Sequence, residues 1–424
     1  MSRLLMVSLL AVAAAAPSSV SPQSEALFTE EIPEPQYLFE NHNPDVTDSG
    51  LELFESDMVL TEEQKLDRKA APNLWPGGQV KYAITSTSVP DRAAIEAALN
   101  HWRQHTCVTF TEVSASFAGE PHLRFSKQSG CWSYVGRTGW TSGQDVSIGT
   151  GCTGLGTIAH EVGHALGFNH EQSRPDRNNY VTILTGNIQD GRSGNFAIAS
   201  NANNYSVPYD YTSVMHYGST YFTKNGQPTI QVNQLQYSGL IGSRTGLSHR
   251  DKQLANAMYS CAASCSSPPA CQNGGYVSKA CSCVCPPGTS GSRCQTVTAP
   301  YYGSICGNQA ITSAGTVSSI NWPSIYPRNQ NCFWIVTAPA GRRVRITFNT
   351  AKVLYRYSDG NCYWDWINLY TNSDNSADVN ACGSELQGKT YTTTGNRLAL
   401  EMHTYAGGSY PSLQTGFTAS VSFV

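Results

Sequence analysis

Residues 160–177 read HEVGHALGFNHEQSRPDR, and the spacing of three histidines in this segment restricts how it can fold. On a helix that turns roughly 100° per residue, His160 and His164 lie about 40° apart and can bind one metal ion from one face. Gly167 can end that helix and turn the chain, so that His170 returns as a third ligand. Three protein ligands leave a fourth position for water, as in a catalytic zinc site.

Glu161 follows the first histidine and therefore stands beside the open position of such a site. The alternative is a closed structural zinc site, which needs a fourth protein ligand that is usually cysteine. The segment contains no cysteine. Three histidines at this spacing with an embedded glutamate seldom arise by chance, so the pattern favours a catalytic zinc.

The extended segment is similar to the metzincin zinc-peptidase signature, and its continuation from His170 to Arg177 resembles the astacin family within that group. Downstream, residues 213–218 read SVMHYG and resemble the Met-turn of the family. Flanking segments at 131–136 and 247–261 resemble the family too. The resemblance implies an α+β catalytic domain of the metzincin type over residues 70–261.

The resemblance also implies roles for single residues. One Zn²⁺ ion would be bound by His160, His164 and His170, and it would lower the pKa of water and polarise the scissile carbonyl. Glu161 would be the general base that takes the proton of that water. Tyr217 would be a further zinc ligand that swings aside to stabilise the oxyanion.

Two more residues of the resemblance have structural roles. Met215 would form an apolar floor under the zinc, and Glu171 would meet the amino terminus that is freed when a pro-segment is removed. Together these roles imply a secreted zinc-dependent endopeptidase, made as a zymogen, that hydrolyses peptide bonds in extracellular proteins. The alternative is a catalytically silent protein that binds extracellular matrix. Silent relatives are expected to lose the general base or a ligand, and a chelator-sensitive cleavage assay separates the two hypotheses.

The amino-terminal part of the chain has the pattern of an export signal. Arg3 precedes the apolar run Leu4–Ala16, which predicts a signal peptide over residues 1–16. This run is shorter than the ~20 apolar residues that a membrane-spanning helix needs, and no later segment approaches that length. We therefore expect a secreted protein without a membrane span, with an acidic pro-segment over residues 17–69.

Within the pro-segment, residues 54–57 read FESD and resemble the astacin pro-region motif, whose aspartate binds the zinc and displaces the catalytic water. Ser56 stands where the family usually has glycine. The resemblance implies that Asp57 is a zinc ligand in the zymogen, and the alternative is that Asp57 is one more solvated acid. The processing site is open among three basic residues, which are Lys65, Arg68 and Lys69.

Fourteen cysteines, an even number, indicate disulfides and an oxidising compartment. Four lie in the astacin-like segment, where the resemblance implies the pairs Cys107–Cys261 and Cys131–Cys152. Six more crowd into a segment too small to build a core without crosslinks. This segment resembles an epidermal-growth-factor-like (EGF-like) module over residues 262–295. That resemblance implies the pairs Cys265–Cys281, Cys271–Cys283 and Cys285–Cys294.

Apolar and polar residues alternate in the last segment, residues 306–424, and this predicts the half-buried strands of an all-β sandwich. With the sequence CYWDW at 362–366, the segment resembles a CUB domain, which implies contacts with matrix or other proteins. Its four cysteines are Cys306, Cys332, Cys362 and Cys382. Only Asp365 corresponds to the acidic triad of calcium-binding CUB domains, so calcium binding is left open.

The charge pattern argues against a nucleic-acid partner. The chain has 27 Lys and Arg against 30 Asp and Glu, and its basic residues are scattered rather than gathered in a patch. We expect protein or peptide substrates instead. In a polar loop, Asn204 begins the sequon Asn-Tyr-Ser and is a candidate for glycosylation.

Local patterns predict individual elements of the catalytic domain. Apolar residues at helical spacing predict a helix over Asp91–His105. Thr157 is a candidate cap for the zinc-binding helix. Ser248 and Asp251 form a predicted capping box for a final helix. Residues 79–84 have the pattern of a strand.

Overall fold

The computed structural model describes most of the chain beyond the amino-terminal region. The described residues are 45–66, 73–200, 202–303, 306–307, 309–354, 362, 364–372, 377–405 and 414–424. The predicted signal peptide lies outside the described residues, and so do Arg68 and Lys69. These residues comprise part of the predicted pro-segment (residues 45–66, called here the pro-segment), a helix–sheet domain (residues 73–261), a disulfide-rich segment and a β-sandwich.

The helix–sheet domain contains seven strands and three α-helices among its described residues, and two short elements of the pro-segment precede it. The strands are β2 (Gln79–Ile84), β3 (Thr109–Glu112), β4 (Leu123–Ser126), β5 (Cys131–Tyr134), β6 (Gln144–Ile148), β7 (Val181–Ile183) and β8 (Ile230–Val232). The helices are α2 (Arg92–His105), α3 (Leu155–Ala165) and α4 (His249–Met258). The pro-segment supplies β1 (Met58–Val59) and α1 (Glu62–Leu66). No described helix is both long and apolar enough to cross a membrane.

A twisted six-stranded sheet lies above the zinc-binding helix, in the order β1-β5-β6-β4-β2-β3. All neighbouring strands are parallel except β5 and β6, which are antiparallel. The predicted strand over residues 79–84 is confirmed, and α2 begins one residue after the predicted start because a 3₁₀ turn precedes it. The apolar face of α2 is buried against α3, where the indole nitrogen of Trp102 donates a hydrogen bond to the carbonyl of Ala159 at 3.1 Å. This contact fixes the zinc-binding helix to the core.

The zinc-binding helix α3 begins earlier than the sequence predicted. Gly154, rather than Thr157, is its N-cap, with extended backbone angles (φ −63°, ψ 139°), so the proposed Thr157 cap is wrong. Thr157 lies inside the helix and is buried, because the chain turns into the helix at glycine, which N-cap positions accept. The helix ends after Ala165, and Gly167 adopts φ +103°, the left-handed conformation that turns the chain.

The last helix of this domain, α4, has the predicted capping box. The side chain of Ser248 accepts a hydrogen bond from the backbone nitrogen of Asp251 at 2.9 Å, and the Asp251 carboxylate accepts one from the Ser248 nitrogen at 2.9 Å. Disulfides Cys107–Cys261 and Cys131–Cys152 join the domain at its two sides. These are the two pairs that the resemblance implies.

The disulfide-rich segment after residue 262 has little regular structure. Two hairpins, β9 (Tyr276–Val277) with β10 (Cys283–Val284) and β11 (Thr289–Ser290) with β12 (Thr296–Val297), are its only described strand pairs. Its disulfides are Cys265–Cys281, Cys271–Cys283 and Cys285–Cys294. Covalent crosslinks therefore replace a core in this segment.

The β-sandwich follows the predicted alternation. Its strands are β13 (Gln309–Ile311), β14 (Gly315–Ser318), β15 (Gln330–Thr337), β16 (Val344–Lys352), β17 (Trp366–Tyr370), β18 (Val379–Ala381), β19 (Thr390–Thr392), β20 (Arg397–Thr404) and β21 (Gly416–Phe423). They form one sheet in the order β13-β15-β20-β17-β18 and another in the order β14-β21-β16-β19. Apolar side chains of both sheets share one core, and the disulfides are Cys306–Cys332 and Cys362–Cys382. Asp365 is buried and bonds to Tyr326 and the backbone of Tyr405.

Candidate active site

Four buried side chains converge at the carboxyl-terminal half of α3. The Nε2 atoms of His160 and His170 lie 3.2 and 3.1 Å from Oδ2 of Asp57, and the Nε2 atoms of His160 and His164 lie 3.0 Å apart. One donor atom from each of the four residues falls within 4.8 Å of the others. The structure thus brings together the three predicted histidine ligands and the predicted pro-segment aspartate.

Hydrogen bonds to carbonyl oxygens determine which ring nitrogens face this centre. Nδ1 of His160 lies 2.7 Å from the carbonyl oxygen of Val214, and Nδ1 of His164 lies 2.8 Å from that of Phe168. A carbonyl oxygen can only accept, so each Nδ1 carries the proton and donates. The Nε2 atoms therefore direct lone pairs at the centre, as metal-binding imidazoles do.

The donor set requires a cation, and it fits zinc. Burial alone would raise the pKa of Asp57, but the charge and hydrogen bonds of the histidines hold that pKa well below its usual range. Burial alone would lower the pKa of His170, but the carboxylates of Asp57 and Glu55 raise it to about 9. The centre thus favours positive charge. Three imidazole nitrogens and one carboxylate oxygen are a donor set that tetrahedral Zn²⁺ accepts.

The Met-turn packs against the zinc-binding helix from below. A Cβ on Gly163 would lie 2.9 Å from the sulfur of Met215, so glycine permits this close contact. The carbonyl of Met215 accepts a hydrogen bond from the nitrogen of Glu171 at 3.0 Å. Asp251 holds the start of the turn, because its carboxylate accepts from the hydroxyl of Ser213 at 2.6 Å and from the backbone nitrogen of Val214 at 2.9 Å. Sequence reasoning gave Asp251 only a capping role.

The pro-segment enters the cleft through a tight turn, residues 54–58, called here the pro-segment turn. Phe54 and Met58 exchange backbone hydrogen bonds of 2.8 and 3.0 Å. Glu55 and Ser56 between them have φ values of +49° and +72°. Ser56 therefore occupies a conformation that favours glycine, which explains why glycine is usual at this position in the resembled family.

Glu55 is a functional residue that sequence reasoning missed. Its Oε2 accepts hydrogen bonds from Nδ1 of His170 at 2.7 Å and from the hydroxyl of Ser173 at 2.9 Å. Its side chain is buried with the metal centre. Glu55 lies inside the motif that was assigned to Asp57, but only the three-dimensional turn shows that both acids point inward.

Tyr217 lies beside the centre, and its hydroxyl is engaged by the pro-segment. The hydroxyl donates a hydrogen bond to the carbonyl oxygen of Glu55, and its ring centroid lies 4.6 Å from that of His170. Burial and the neighbouring carboxylates raise the pKa of Tyr217 well above its usual range, so it is protonated here. Glu161 is fully buried on α3 next to His160. The catalytic roles of Glu161 and Tyr217 stay predictions.

A pocket lies beside the third histidine, and no residue of the pro-segment turn lines it. Its walls include Leu74, Phe168, Glu171 and Arg174, and the partly exposed Asn204 lies at its edge. Glu171 accepts hydrogen bonds from Nη1 of Arg174 at 3.1 Å and from the backbone nitrogen of Asp210 at 2.7 Å. Burial raises the pKa of Glu171 to about 8, with Arg174 opposing the shift. Glycosylation of Asn204 stays a prediction.

Comparison with known protein families agrees with this geometry. Residues 67–260 match the peptidase family described as Astacin, and residues 306–420 match the CUB domain family. Residues 67–260 belong to the astacin family. The helix–sheet domain is therefore an astacin domain, the β-sandwich is a CUB domain, and the histidine cluster of the astacin domain is a Zn²⁺ site.

Two similar proteins carry the names of a protease and a zinc metalloproteinase. The chain is 35% identical to Blastula protease 10 of Paracentrotus lividus, with 82% of this chain and 61% of the relative covered. It is 35% identical to Zinc metalloproteinase dpy-31 of Brugia malayi, with 79% of this chain and 56% of the relative covered. The chain thus spans less than two thirds of the length of these relatives.

Among solved structures, the chain is similar to High choriolytic enzyme 1, a hatching enzyme zinc-protease from Oryzias latipes. The identity is 34%, and the match covers 46% of this chain and 96% of that chain with a TM-score of 0.41.

Proposed function

We propose that this chain is a secreted zinc-dependent endopeptidase that is made as a zymogen and hydrolyses peptide bonds in extracellular proteins. The observation that carries the proposal is the convergence of His160, His164 and His170 on one buried centre beside Glu161. Family membership supports the same reaction. Three ligands from the astacin domain, with the fourth from a removable segment, are consistent with a site that opens when that segment leaves.

The reaction follows from the side chains around the centre. When bound, zinc supplies the Lewis acidity that polarises the scissile carbonyl and acidifies water. His160, His164 and His170 would hold it, and the Nδ1 hydrogen bonds of His160 and His164 to backbone carbonyls fix those two rings in one orientation. Glu161 accepts the proton of the attacking water and passes it to the leaving amine. Tyr217, once released from the pro-segment, donates a hydrogen bond to the developing oxyanion.

The pro-segment turn accounts for latency. Asp57 occupies the fourth ligand position, and the Glu55 carbonyl holds the hydroxyl of Tyr217 away from substrate. The following strand β1 pairs in parallel with the cleft strand β5, at Met58 with Ser133 and at Val59 with Tyr134. These contacts support a blocked site in which the pro-segment occupies the metal centre, the hydroxyl of Tyr217 and the edge of β5.

Removal of the pro-segment gives a new amino terminus, and the pocket at Glu171 is its proposed destination. A cut after Lys65 would place Trp75 tenth in the new chain, and the Trp75 indole already donates to the carbonyl of Ala165 at 2.8 Å. Leu74 lines the pocket. An ammonium group there would meet Glu171, a buried carboxylate beside Arg174 whose ionised form a second positive charge would stabilise.

The remaining domain assignments complete the proposal. We infer a signal peptide over residues 1–16, a pro-segment over 17–69, a peptidase domain over 70–261 and an EGF-like module over 262–295. The CUB domain, taken as 306–424, is the proposed site of contacts with matrix or other proteins. Seven disulfides and no free cysteine among the described residues support an oxidising, extracellular location.

The test is a chelator-sensitive protein-cleavage assay on the processed chain with two variants. Glu161→Ala should lower kcat roughly 10²–10⁴-fold, as expected for loss of a general base, with zinc content unchanged. Glu120→Ala, which removes an exposed carboxylate paired with Lys81, should leave kcat unchanged. A chain that cleaves at the wild-type rate without Glu161, or that is insensitive to chelators, would refute the proposal.

A further inference from the structure

The outer face of one CUB sheet is buried although it does not face the core of its own domain. Along β15, Cys332, Trp334 and Val336 point into the CUB core, so Phe333 points the other way. Phe333 is nevertheless 0% exposed, because Leu235 of the astacin domain covers it. This contact joins the two domains through apolar side chains.

A buried carboxylate extends the same interface. Glu401, on the outer face of β20, accepts hydrogen bonds from the hydroxyl of Tyr370 at 2.6 Å and from the amide of Asn368 at 3.2 Å. The hydroxyl of Ser238, in the astacin domain, lies 3.4 Å from its other oxygen. Burial raises the pKa of Glu401. A buried carboxylate needs these partners, so the interface is polar and specific at this point.

Gly239 sets how closely the domains approach. A Cβ on Gly239 would lie 1.8 Å from the amide nitrogen of Asn331 in the CUB domain and 2.7 Å from its Cγ. By contrast, a Cβ on Gly186, in another 3₁₀ turn of the astacin domain, would meet nothing within 4 Å. The two glycines differ in whether another domain faces them, which makes Gly186 a matched control.

Leu235, Ser238 and Gly239 belong to one stretch of chain, residues 235–244, called here the bridging segment. Its other end lies at the active site. A Cβ on Gly242 would lie 2.6 Å from Cα of Gly218, the residue after Tyr217. The segment therefore contacts the CUB domain at one end and the Tyr217 backbone at the other.

Arg244 completes the contact with the active site. Its Nη1 donates a hydrogen bond to the carbonyl of His216 at 3.0 Å. Its own carbonyl is so close to α3 that a Cβ on Gly156 would lie 1.8 Å from it. The end of the bridging segment is thus packed between the start of the zinc-binding helix and the residues that flank Tyr217. A shift of the segment would therefore move either the helix start or the backbone beside Tyr217.

We propose that the CUB domain holds the bridging segment in place and thereby positions the Tyr217 side of the active site, with Gly239, Leu235 and Phe333 as positioning residues. Tyr302, in the linker before the CUB domain, also packs on Tyr237 of the segment, with ring centroids 4.7 Å apart. The CUB domain then contributes to hydrolysis of short substrates as well as to binding of large ones. This inference rests on the proposed peptidase function.

The test uses the processed full chain and a six-residue peptide substrate. Gly239→Ala should lower kcat/KM at least fivefold, with zinc content unchanged, and should speed amide hydrogen exchange in residues 235–244. Gly186→Ala should stay within twofold of wild type. The pair Gly239→Ala with Asn331→Ala should recover kcat/KM to within twofold, because the amide nitrogen and Cγ that the new Cβ strikes are gone and only a contact of 3.0 Å with Cβ of residue 331 remains. Local misfolding of the astacin domain would show no such recovery.

Phe333→Asp provides the same test from the CUB side, since this side chain lies outside the CUB core. It should lower kcat/KM and speed exchange in the bridging segment as Gly239→Ala does. Faster exchange with kcat/KM within twofold of wild type would overturn the inference, and so would a loss of kcat/KM without faster exchange. An active wild type with unaffected variants refutes only this inference, whereas a wild type that cleaves nothing refutes the proposed function and this inference with it.

Discussion

Two neighbours cover the astacin domain, and they are attached in different ways. The pro-segment turn reaches the zinc centre through Asp57 and Glu55, with a strand pairing of only two residues behind it. The CUB domain instead buries Phe333 and Glu401 against a segment that remains in the processed chain. The first cover combines contacts at the metal centre with a small apolar cluster, in which Leu53 and Val59 pack on β5. The second cover has no described residue at the metal centre and depends on packing. Under the proposed function, the cover that is removed is anchored at the metal centre, and the cover that stays is anchored by a domain interface.

The largest expected effect comes from removing the carboxylate at the metal centre. Asp57→Ala should raise the peptidase activity of the unprocessed chain by roughly 100-fold or more, because a buried partner of the charged centre is worth about 3–5 kcal/mol. The measurement is the cleavage rate of the intact chain with a quenched peptide. Glu52→Ala, an exposed acid of the same segment, should leave the chain latent. An intact Asp57→Ala chain that stays latent would show that pairing of β1 with β5 is sufficient for the block.

The CUB cover is expected to depend on apolar packing. Phe333→Ala should lower the free energy of unfolding by about 3 kcal/mol if the interface is packed like a core. Calorimetry on the processed chain measures this loss. The same substitution should not lift latency, because Phe333 has no contact with the pro-segment turn. A variant with unchanged stability would mean that the two domains are not packed together in solution.

A smaller effect on latency is expected at Glu55. Glu55→Gln keeps one acceptor but loses the negative charge that faces His170, so the pro-segment turn is held less tightly. Loss of about 1.5 kcal/mol, the lower end for a hydrogen bond to a charged group, should raise the activity of the intact chain about tenfold. The rate should stay below that of Asp57→Ala, and activity after processing should equal wild type, since the segment is gone. Equal rates for the two variants would contradict the separate roles assigned to the two acids.

The smallest effect should appear as a pH dependence of the CUB interface. Burial raises the pKa of Glu401 in the folded chain. The protonated side chain therefore contributes its full stabilisation below the unfolded-state pKa of about 4.3, and this stabilisation is lost as pH rises through the higher folded-state pKa. Glu401→Gln removes this loss and can still accept from Tyr370 and Asn368. The Tm of the variant should equal wild type near pH 4 and exceed it by about 2 °C at neutral pH. A difference in Tm between variant and wild type that narrows as pH rises would contradict this prediction.

The contacts of the pro-segment could be predicted from the sequence in part, whereas the interface with the CUB domain could not. Residues 54–57 share one motif, so Asp57 could be placed at the zinc from the sequence alone, while Glu55 could not, because its inward direction depends on two positive φ angles. The CUB interface left no signal in the sequence. By the alternation of the strand, Phe333 is expected to point away from the CUB core. Only the folded chain shows that Leu235, about a hundred residues earlier, covers it.

Within the astacin domain, the best-predicted elements are those that depend on residues close together in the sequence. The capping box of Ser248 and Asp251 depends on residues three apart, and the strand over residues 79–84 depends on its own pattern. The start of α3 was placed wrongly at Thr157, because side-chain capping preference was weighed without the contact that brings Gly156 against Arg244. Long-range contacts of this kind are set by tertiary packing and leave no periodic pattern.

The most direct test of the account is the peptide-cleaving rate of one zinc-loaded preparation before and after the chain is cut between residues 65 and 70. We expect the intact chain to be latent and the rate to rise roughly 100-fold or more on cutting, as Asp57 leaves the centre. The zinc content should stay at one ion per chain, and the Glu161→Ala chain should stay inactive in both forms. An intact chain that cleaves as fast as the cut chain would contradict it.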